Sequence, residues 1–138
     1  MRIALIADLH GNWPATQALE RDLAKRGADR LYCLGDLVGK GPSSDRTFDW
    51  VMANCDLVLG GNWDYGIGYR QFAPDDFYWS QLGEARMARL RNLPMEKTLT
   101  VSGRHIRLFH GRPIMRELLV AQQESHLLDP LFTDCNGF

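Results

Sequence analysis

The sequence lacks a long hydrophobic run, an excess of basic residues and any closely spaced pair of cysteines. A membrane span needs about 18 or more consecutive apolar residues, and no such stretch occurs. The net charge of -1 argues against a sequence-independent nucleic-acid binder, which usually carries a strong basic excess. The three cysteines show no CxxC spacing and are typical of small buried thiols in a reducing compartment. We therefore expect a cytoplasmic protein with no membrane partner and no sequence-specific nucleic-acid partner.

Alternating strand and helix patterns fill the first half of the chain. Short apolar runs at 3–7, 31–34 and 56–59 are predicted to be buried strands. The segments between them show helical spacing of apolar residues, with Phe48, Val51 and Met52 on the inner face of the second helix. This order predicts an α/β fold in which helices flank a parallel sheet.

The second half of the chain has a different pattern. A long helix is predicted over 75–93, where Pro94 ends it. The segments 98–101 and 105–109 flank a Ser-Gly-Arg turn and are predicted to form a hairpin. A last amphipathic helix is expected at 114–123. Since no repeat or linker interrupts the chain, we expect residues 1–138 to form a single domain.

Residue types that bind metals follow each predicted strand. Asp8 and His10 follow the first strand, Asp36 the second, Asn62 the third and His110 the second strand of the hairpin. Ligands of open α/β sheets bind beyond the carboxyl ends of the strands, so these side chains are expected to converge. Each of them alone has an ordinary explanation as a helix cap, a turn residue or a structural histidine. Taken together, they predict a metal site.

The mixture of carboxylate, imidazole and amide ligands favours Mn, Fe, Zn, Co or Ni over calcium. Two divalent ions would bring four positive charges, and the carboxylates of Asp8 and Asp36 would return only two negative ones. The site would therefore stay electropositive and suit a phosphate oxygen and a metal-bound hydroxide. Asp36 is the carboxylate expected to bridge the ions, at a separation of about 3.5–4 Å.

At these residues the sequence resembles the calcineurin-like metallophosphoesterases, especially the small bacterial and archaeal phosphodiesterase branch. The family pattern D-x-H, G-D-x-x-x-x-G, G-N-[H/C]-D and H-G has four counterparts here, in the same order. They are Asp8-Leu9-His10, the segment 35–41 (GDLVGKG), Gly61-Asn62-Trp63-Asp64 and His110-Gly111.

The resemblance implies an αββα sandwich of two mixed sheets, the second of them incomplete. It also implies metal-dependent hydrolysis of phosphate esters, above all phosphodiesters. It implies that Asp8 and His10 hold one ion, that Asp36 bridges, and that Asn62 and His110 hold the other. The expected cofactors are two divalent transition-metal ions, manganese first, with Fe, Zn, Ni or Co as alternatives. The expected substrate is a small or nucleotide-like phosphate ester, and Asn62 is also expected near its phosphate.

Two departures from the family pattern affect the expected activity. Trp63 stands where many relatives have a histidine that protonates the leaving group, and an indole N–H is not a usable acid. The closing G-H-x-H motif has no counterpart before Phe138, and His105 and His126 do not have the spacing to replace it. We therefore expect the chain to be an amino-terminal part of the fold, whose open sheet edge would favour a homo-oligomer.

The remaining candidate residues lie beside these motifs. Asp64, counted with Asp36 and Asn62 as catalytic, is expected to orient its loop. Lys40 and Arg112 are candidates for binding the phosphate, although solvated loop charges explain them equally well. Trp63 is either a stacking surface for an aromatic group or a packed loop residue. The alternative function is a catalytically weak or inactive scaffold or regulatory module with the same fold.

Overall fold

The computed structural model describes residues 1–72 and 76–111. The described residues fall into two compact units, the first from Met1 to Pro94 and the second beginning at Met95. The prediction of a single domain over 1–138 stays a prediction. No helix in the described ranges is both long enough and apolar enough to cross a membrane.

The first unit is built on a three-stranded parallel sheet. Strands β1 (Ile3–Ile6), β2 (Arg30–Cys33) and β3 (Leu57–Val58) lie in the order β1-β2-β3. Helix α1 (Trp13–Arg26) connects the first two strands and α2 (Ser44–Asn54) connects the last two. The α/β prediction is confirmed, and the carboxyl ends of β1 and β2 lie side by side, which brings the loops that follow them together.

Helix α1 begins and ends where local chemistry requires. The Asn12 side chain accepts a hydrogen bond from the Ala15 N–H at 3.2 Å, and Pro14 occupies the first turn, where its missing N–H costs nothing. Gly27 ends the helix with a positive φ of 66°, and its N–H donates to the Leu23 carbonyl. The helix therefore starts directly after the loop that carries Asp8 and His10.

Helix α2 supplies much of the apolar core. Phe48 and Val51 are fully buried, as their helical spacing predicts, whereas Met52 is only partly buried. Thr47 is a polar member of the same face, and its hydroxyl donates to the Leu37 carbonyl at 2.9 Å. The core therefore extends directly beneath the loop that follows β2.

A short helix, α3 (Asn62–Gly68), replaces the turn that the two preceding glycines predict. Its sequence contains Gly66 and Gly68, which weaken helices in isolation. Tertiary packing compensates, because a side chain at Gly66 would lie 2.1 Å from the ring of Phe72. The Asp64 side chain also accepts from the Gly61 N–H at 2.9 Å, and this bond fixes the start of the helix.

The long helix α4 (Asp76–Arg91) is interrupted at Gly83, whose φ of 71° and ψ of 163° are not helical. The continuous helix predicted over 75–93 is therefore wrong at this position. Arg86, three residues further along, forms two hydrogen bonds of 2.8 and 2.7 Å with Asp49 of α2. Helix α4 therefore consists of two helical segments that are joined by a kink at Gly83.

The second unit contains the predicted hairpin. Strands β4 (Glu96–Val101) and β5 (Arg104–Phe109) pair antiparallel, with Val101 opposite Arg104. The two-residue turn of Ser102 and Gly103 has φ values of 52° and 75°, the left-handed pair that matches the twist of a hairpin. This prediction is confirmed, and the helix expected at 114–123 lies outside the described residues.

Candidate metal centre

Three acidic or imidazole side chains converge in the first unit from the loops after β1 and β2. The Nε2 atom of His10 lies 3.4 Å from Oδ1 of Asp8 and 3.4 Å from Oδ2 of Asp36. Carboxylate oxygens of Asp8 and Asp36 lie within 4.8 Å of each other. One imidazole nitrogen and two carboxylates therefore face a common point, which is the donor set that Mn, Fe and Zn accept.

Backbone hydrogen bonds hold the two loops in register beyond the end of the sheet. The N–H groups of Asp8 and His10 donate to the carbonyls of Gly35 and Asp36, each at 3.0 Å. The Gly11 N–H donates to the Leu37 carbonyl at 3.1 Å. Because the two loops are bonded residue by residue, a shift of one loop would displace the ligands on the other.

The backbone at these positions is in a conformation that side chains disfavour. Asp8, His10 and Asp36 have φ values of 58°, 48° and 56°. A non-glycine residue in the left-handed region costs about 1–3 kcal/mol, and such residues cluster at functional sites. The sequence offers no signal for this feature, because aspartate and histidine occur in extended segments as well.

His10 is fixed in the tautomer that a metal ligand requires. Its Nδ1 lies 3.2 Å from the Val38 carbonyl oxygen. Since a carbonyl only accepts hydrogen bonds, Nδ1 carries the proton and donates it. The lone pair is then on Nε2, the atom that faces the two carboxylates. This orienting contact is the strongest sign that the cluster suits a cation.

One carboxylate oxygen of Asp36 faces His10, and the other accepts a backbone hydrogen bond. The side chain is buried, its Oδ1 accepts from the Trp63 N–H at 2.9 Å, and its Oδ2 faces His10. A side chain at Gly61 would come within 2.1 Å of the same Oδ1. Glycine at position 61 is therefore required for the close approach of α3 to this carboxylate.

Asp64 is completely buried and accepts hydrogen bonds from several backbone N–H groups. Asp36 and Leu37 donate at 2.7 and 2.9 Å, and Gly61 donates at 2.9 Å. Burial raises the pKa of Asp64 to about 7, and the N–H groups oppose this rise by stabilising the charged form. These contacts tie the loop after β2 to the start of α3. They are the contacts of a positioning residue.

Trp63 packs within the site region. Its ring meets His10 edge-on at 5.8 Å between centroids and lies 4.9 Å from the ring of Phe72. The ammonium of Lys40 lies 5.2 Å from the centroid of the Trp63 ring. A side chain at Gly39 would lie 2.4 Å from the same ring. The indole therefore packs tightly against the loop that carries Lys40.

The other candidate residues are placed as follows. Asn62 is the first residue of α3 and is half-buried. His110 follows β5 in the second unit and is half-buried, and Arg112 and His126 lie outside the described residues. His105 is exposed, and its Nδ1 lies 3.1 Å from the Thr100 hydroxyl. The ligand roles of Asn62 and His110 therefore stay predictions.

Comparison with known proteins identifies the family of this chain. The family described as calcineurin-like phosphoesterase matches residues 1–134. The chain belongs to this family. Neighbouring structures share its fold, and one of them is described as a metallophosphoesterase.

Several relatives of this calcineurin-like phosphoesterase are known. Protein MJ0912 of Methanocaldococcus jannaschii is 27% identical over 121 residues, which cover 80% of this chain and 49% of the relative. The crystal structure of a metallophosphoesterase from Sphaerobacter thermophilus is 29% identical, with a TM-score of 0.58, covering 77% of this chain and 46% of that one. The phosphoesterase Yfce from E. coli shares the fold at 21% identity and a TM-score of 0.55, covering 81% and 58%. The chain thus spans about half the length of the relatives it matches.

Proposed function

We propose that this calcineurin-like phosphoesterase hydrolyses phosphate esters, above all phosphodiesters, at a site for two divalent metal ions. The observation that carries the proposal is the tautomer and direction of His10. Its Nδ1 proton is bound to the Val38 carbonyl, and its Nε2 lone pair faces Asp8 and Asp36. A histidine that only stabilised the fold would not need to direct an acceptor atom toward two carboxylates.

In this proposal Asp8 and His10 would hold one ion, Asn62 and His110 would hold the other, and Asp36 would be the carboxylate that both ions share. Manganese is the first candidate, and Fe, Zn, Ni or Co would suit the same donors. When bound, such ions act as Lewis acids on phosphate oxygens and lower the pKa of a bound water to about 7. The residues of the chain orient the carboxylate of Asp36. The backbone N–H of Trp63 donates to one of its oxygens, and the other oxygen stays directed at the site.

Trp63 determines which esters should react best. An acid at this position would protonate a departing alkoxide, and such help is typically worth about 10²–10⁴-fold in rate. The indole of Trp63 packs against His10 and Phe72 and has no proton to give at neutral pH. Esters whose leaving groups depart without protonation, such as aryl phosphodiesters, are therefore the preferred substrates of this proposal.

The test is hydrolysis of bis-p-nitrophenyl phosphate with added Mn²⁺. We expect turnover by the wild type and a loss of about 100-fold or more in Asp36→Asn, because the variant loses a charged bridging ligand. Asp22→Asn, which makes the same charge change on an exposed part of α1, is the matched control. Circular dichroism would verify that both variants fold. Equal rates for wild type and Asp36→Asn would refute the proposal.

A scaffold that has the fold and lacks turnover is the second candidate, because Trp63 replaces the acid of related enzymes. Calorimetric titration with Mn²⁺ and Zn²⁺ separates the two functions. Binding at micromolar concentrations together with hydrolysis supports the enzyme. Absence of binding and of hydrolysis supports the scaffold.

A further inference from the structure

Lys40 contacts the histidine of the candidate metal centre directly. Its Nζ lies 3.1 Å from Nε2 of His10. The same ammonium lies 5.2 Å from the centre of the Trp63 ring, at a distance that allows a cation–π interaction. The lysine side chain is therefore directed at the site, although the residue itself is exposed.

The backbone holds the lysine in this direction. Lys40 has a φ of 59°, and the next residue, Gly41, donates its N–H to the His10 carbonyl at 2.8 Å. A side chain at Gly41 would come within 2.4 Å of that carbonyl oxygen. The left-handed conformation and the close contact together fix Lys40 beside the loop of His10. A freely solvated loop lysine needs neither feature.

In this contact Lys40 must be the donor and His10 the acceptor of the hydrogen bond. An ammonium has only donors, and His10 has its proton on Nδ1, bound to the Val38 carbonyl. Lys40 therefore donates to the lone pair on Nε2. A metal ion held by His10 needs the same lone pair, so the ammonium and the ion cannot both use it.

We infer that Lys40 is a built-in competitor of the metal ion. Without an ion, its ammonium binds Nε2 of His10 and supplies positive charge beside the carboxylates of Asp8 and Asp36. An ion can bind only when the lysine side chain has moved away from Nε2. Lys40 therefore lowers the affinity of the site for its metal and keeps the ligands together in the ion-free protein. This inference rests on the metal site of the proposed function.

The test compares the affinity for Mn²⁺ in calorimetric titrations of the full chain. Lys40→Met keeps the length and the apolar stem of the side chain and removes the ammonium. Because a charge-assisted hydrogen bond no longer has to break, we expect binding to become tighter by about 10- to 100-fold. Lys25→Met, at the exposed end of α1, removes the same charge elsewhere and should leave the affinity within about twofold.

A measurement on the ion-free protein tests the contact independently. The ¹⁵N resonance of His10 Nε2 should move in Lys40→Met toward the position of a nitrogen lone pair that accepts no hydrogen bond. Unchanged or weaker Mn²⁺ binding by Lys40→Met, or an unchanged Nε2 resonance, would overturn the inference and leave the proposed function standing. Absence of Mn²⁺ binding by both wild type and Lys40→Met would overturn both.

Discussion

Replacement of Asp64 by asparagine is expected to destabilise the first unit, although the two side chains have nearly the same shape. One carboxylate oxygen accepts from the N–H groups of Leu37 and Val38, at 2.9 and 3.3 Å. The other accepts from those of Asp36 and Gly61, at 2.7 and 2.9 Å. A carboxylate satisfies all four donors, whereas an amide has only one accepting oxygen.

The magnitude follows from the donors that lose their partner. If the amide oxygen accepts from Leu37 and Val38, the amide nitrogen faces the N–H groups of Asp36 and Gly61. It cannot accept a hydrogen bond from either of them. Each buried N–H without an acceptor costs about 1–3 kcal/mol, so the pair costs about 2–6 kcal/mol. Burial acts in the opposite direction, because it disfavours the charge of Asp64 and raises its pKa to about 7. We therefore expect Asp64→Asn to lower the free energy of unfolding by about 2–4 kcal/mol.

The assay is urea unfolding of the ion-free protein at pH 7.5, followed by circular dichroism. Asp22→Asn is the control, because it makes the same change of charge on the exposed surface of α1, where the carboxylate pairs with the exposed Arg26. Its effect should stay below about 0.5 kcal/mol. A free energy of unfolding for Asp64→Asn within about 0.5 kcal/mol of the wild type would show that the four N–H groups do not need the carboxylate.

Three further predictions concern other contacts. Gly61→Ala places a methyl group 2.1 Å from Oδ1 of Asp36 and should displace this carboxylate. Calorimetry should therefore show that the affinity for Mn²⁺ falls by at least about 10-fold. An unchanged affinity would mean that α3 can move away from Asp36. Hydrogen bonds from Arg86 hold the pKa of Asp49 below its usual range. This half-exposed pair stabilises the fold by about 0.2–1 kcal/mol. The stabilisation is present above about pH 4 and is lost as the pH falls through the lowered pKa. Unfolding curves of wild type and Arg86→Gln should therefore differ at pH 7 and converge as the pH falls through the lowered pKa of Asp49, and a constant difference would contradict this. Burial raises the pKa of the Cys33 thiol to about 12, so peptide mass mapping should find it alkylated by iodoacetamide at pH 8 only after unfolding.

The order of elements and the central ligands were accessible from the sequence. Apolar periodicity predicts the strands and helices of the first unit, and the rule that ligands lie beyond strand ends predicts the meeting of Asp8, His10 and Asp36. The hairpin followed from its Ser-Gly turn. Each of these depends on local patterns that a single stretch of sequence contains.

The remaining features depend on contacts between distant segments. Helix α3 contains glycines that argue against it locally, and it is stabilised by packing against Phe72 and by the Asp64 carboxylate. The hydrogen bond from His10 to the Val38 carbonyl and the contact of Lys40 with His10 join residues 28 and 30 positions apart. A lysine in a glycine-rich loop gives no local sign of its partner. Loop conformation decides these contacts, and periodicity carries no information about it.

The left-handed backbone at Asp8, His10 and Asp36 lowers the stability of the fold, whereas the side chains at these positions suit the proposed metal site. Glycine would adopt the left-handed conformation without steric cost, so Asp8→Gly, at the one of these positions whose side chain is exposed, would relieve about 1 kcal/mol of strain. A duplicated copy of the protein that did not need the proposed metal site would therefore gain thermal stability by replacing Asp8. Directed evolution for heat resistance alone should select the same replacement, and the selected variants would be more stable but would lack one of the proposed metal ligands.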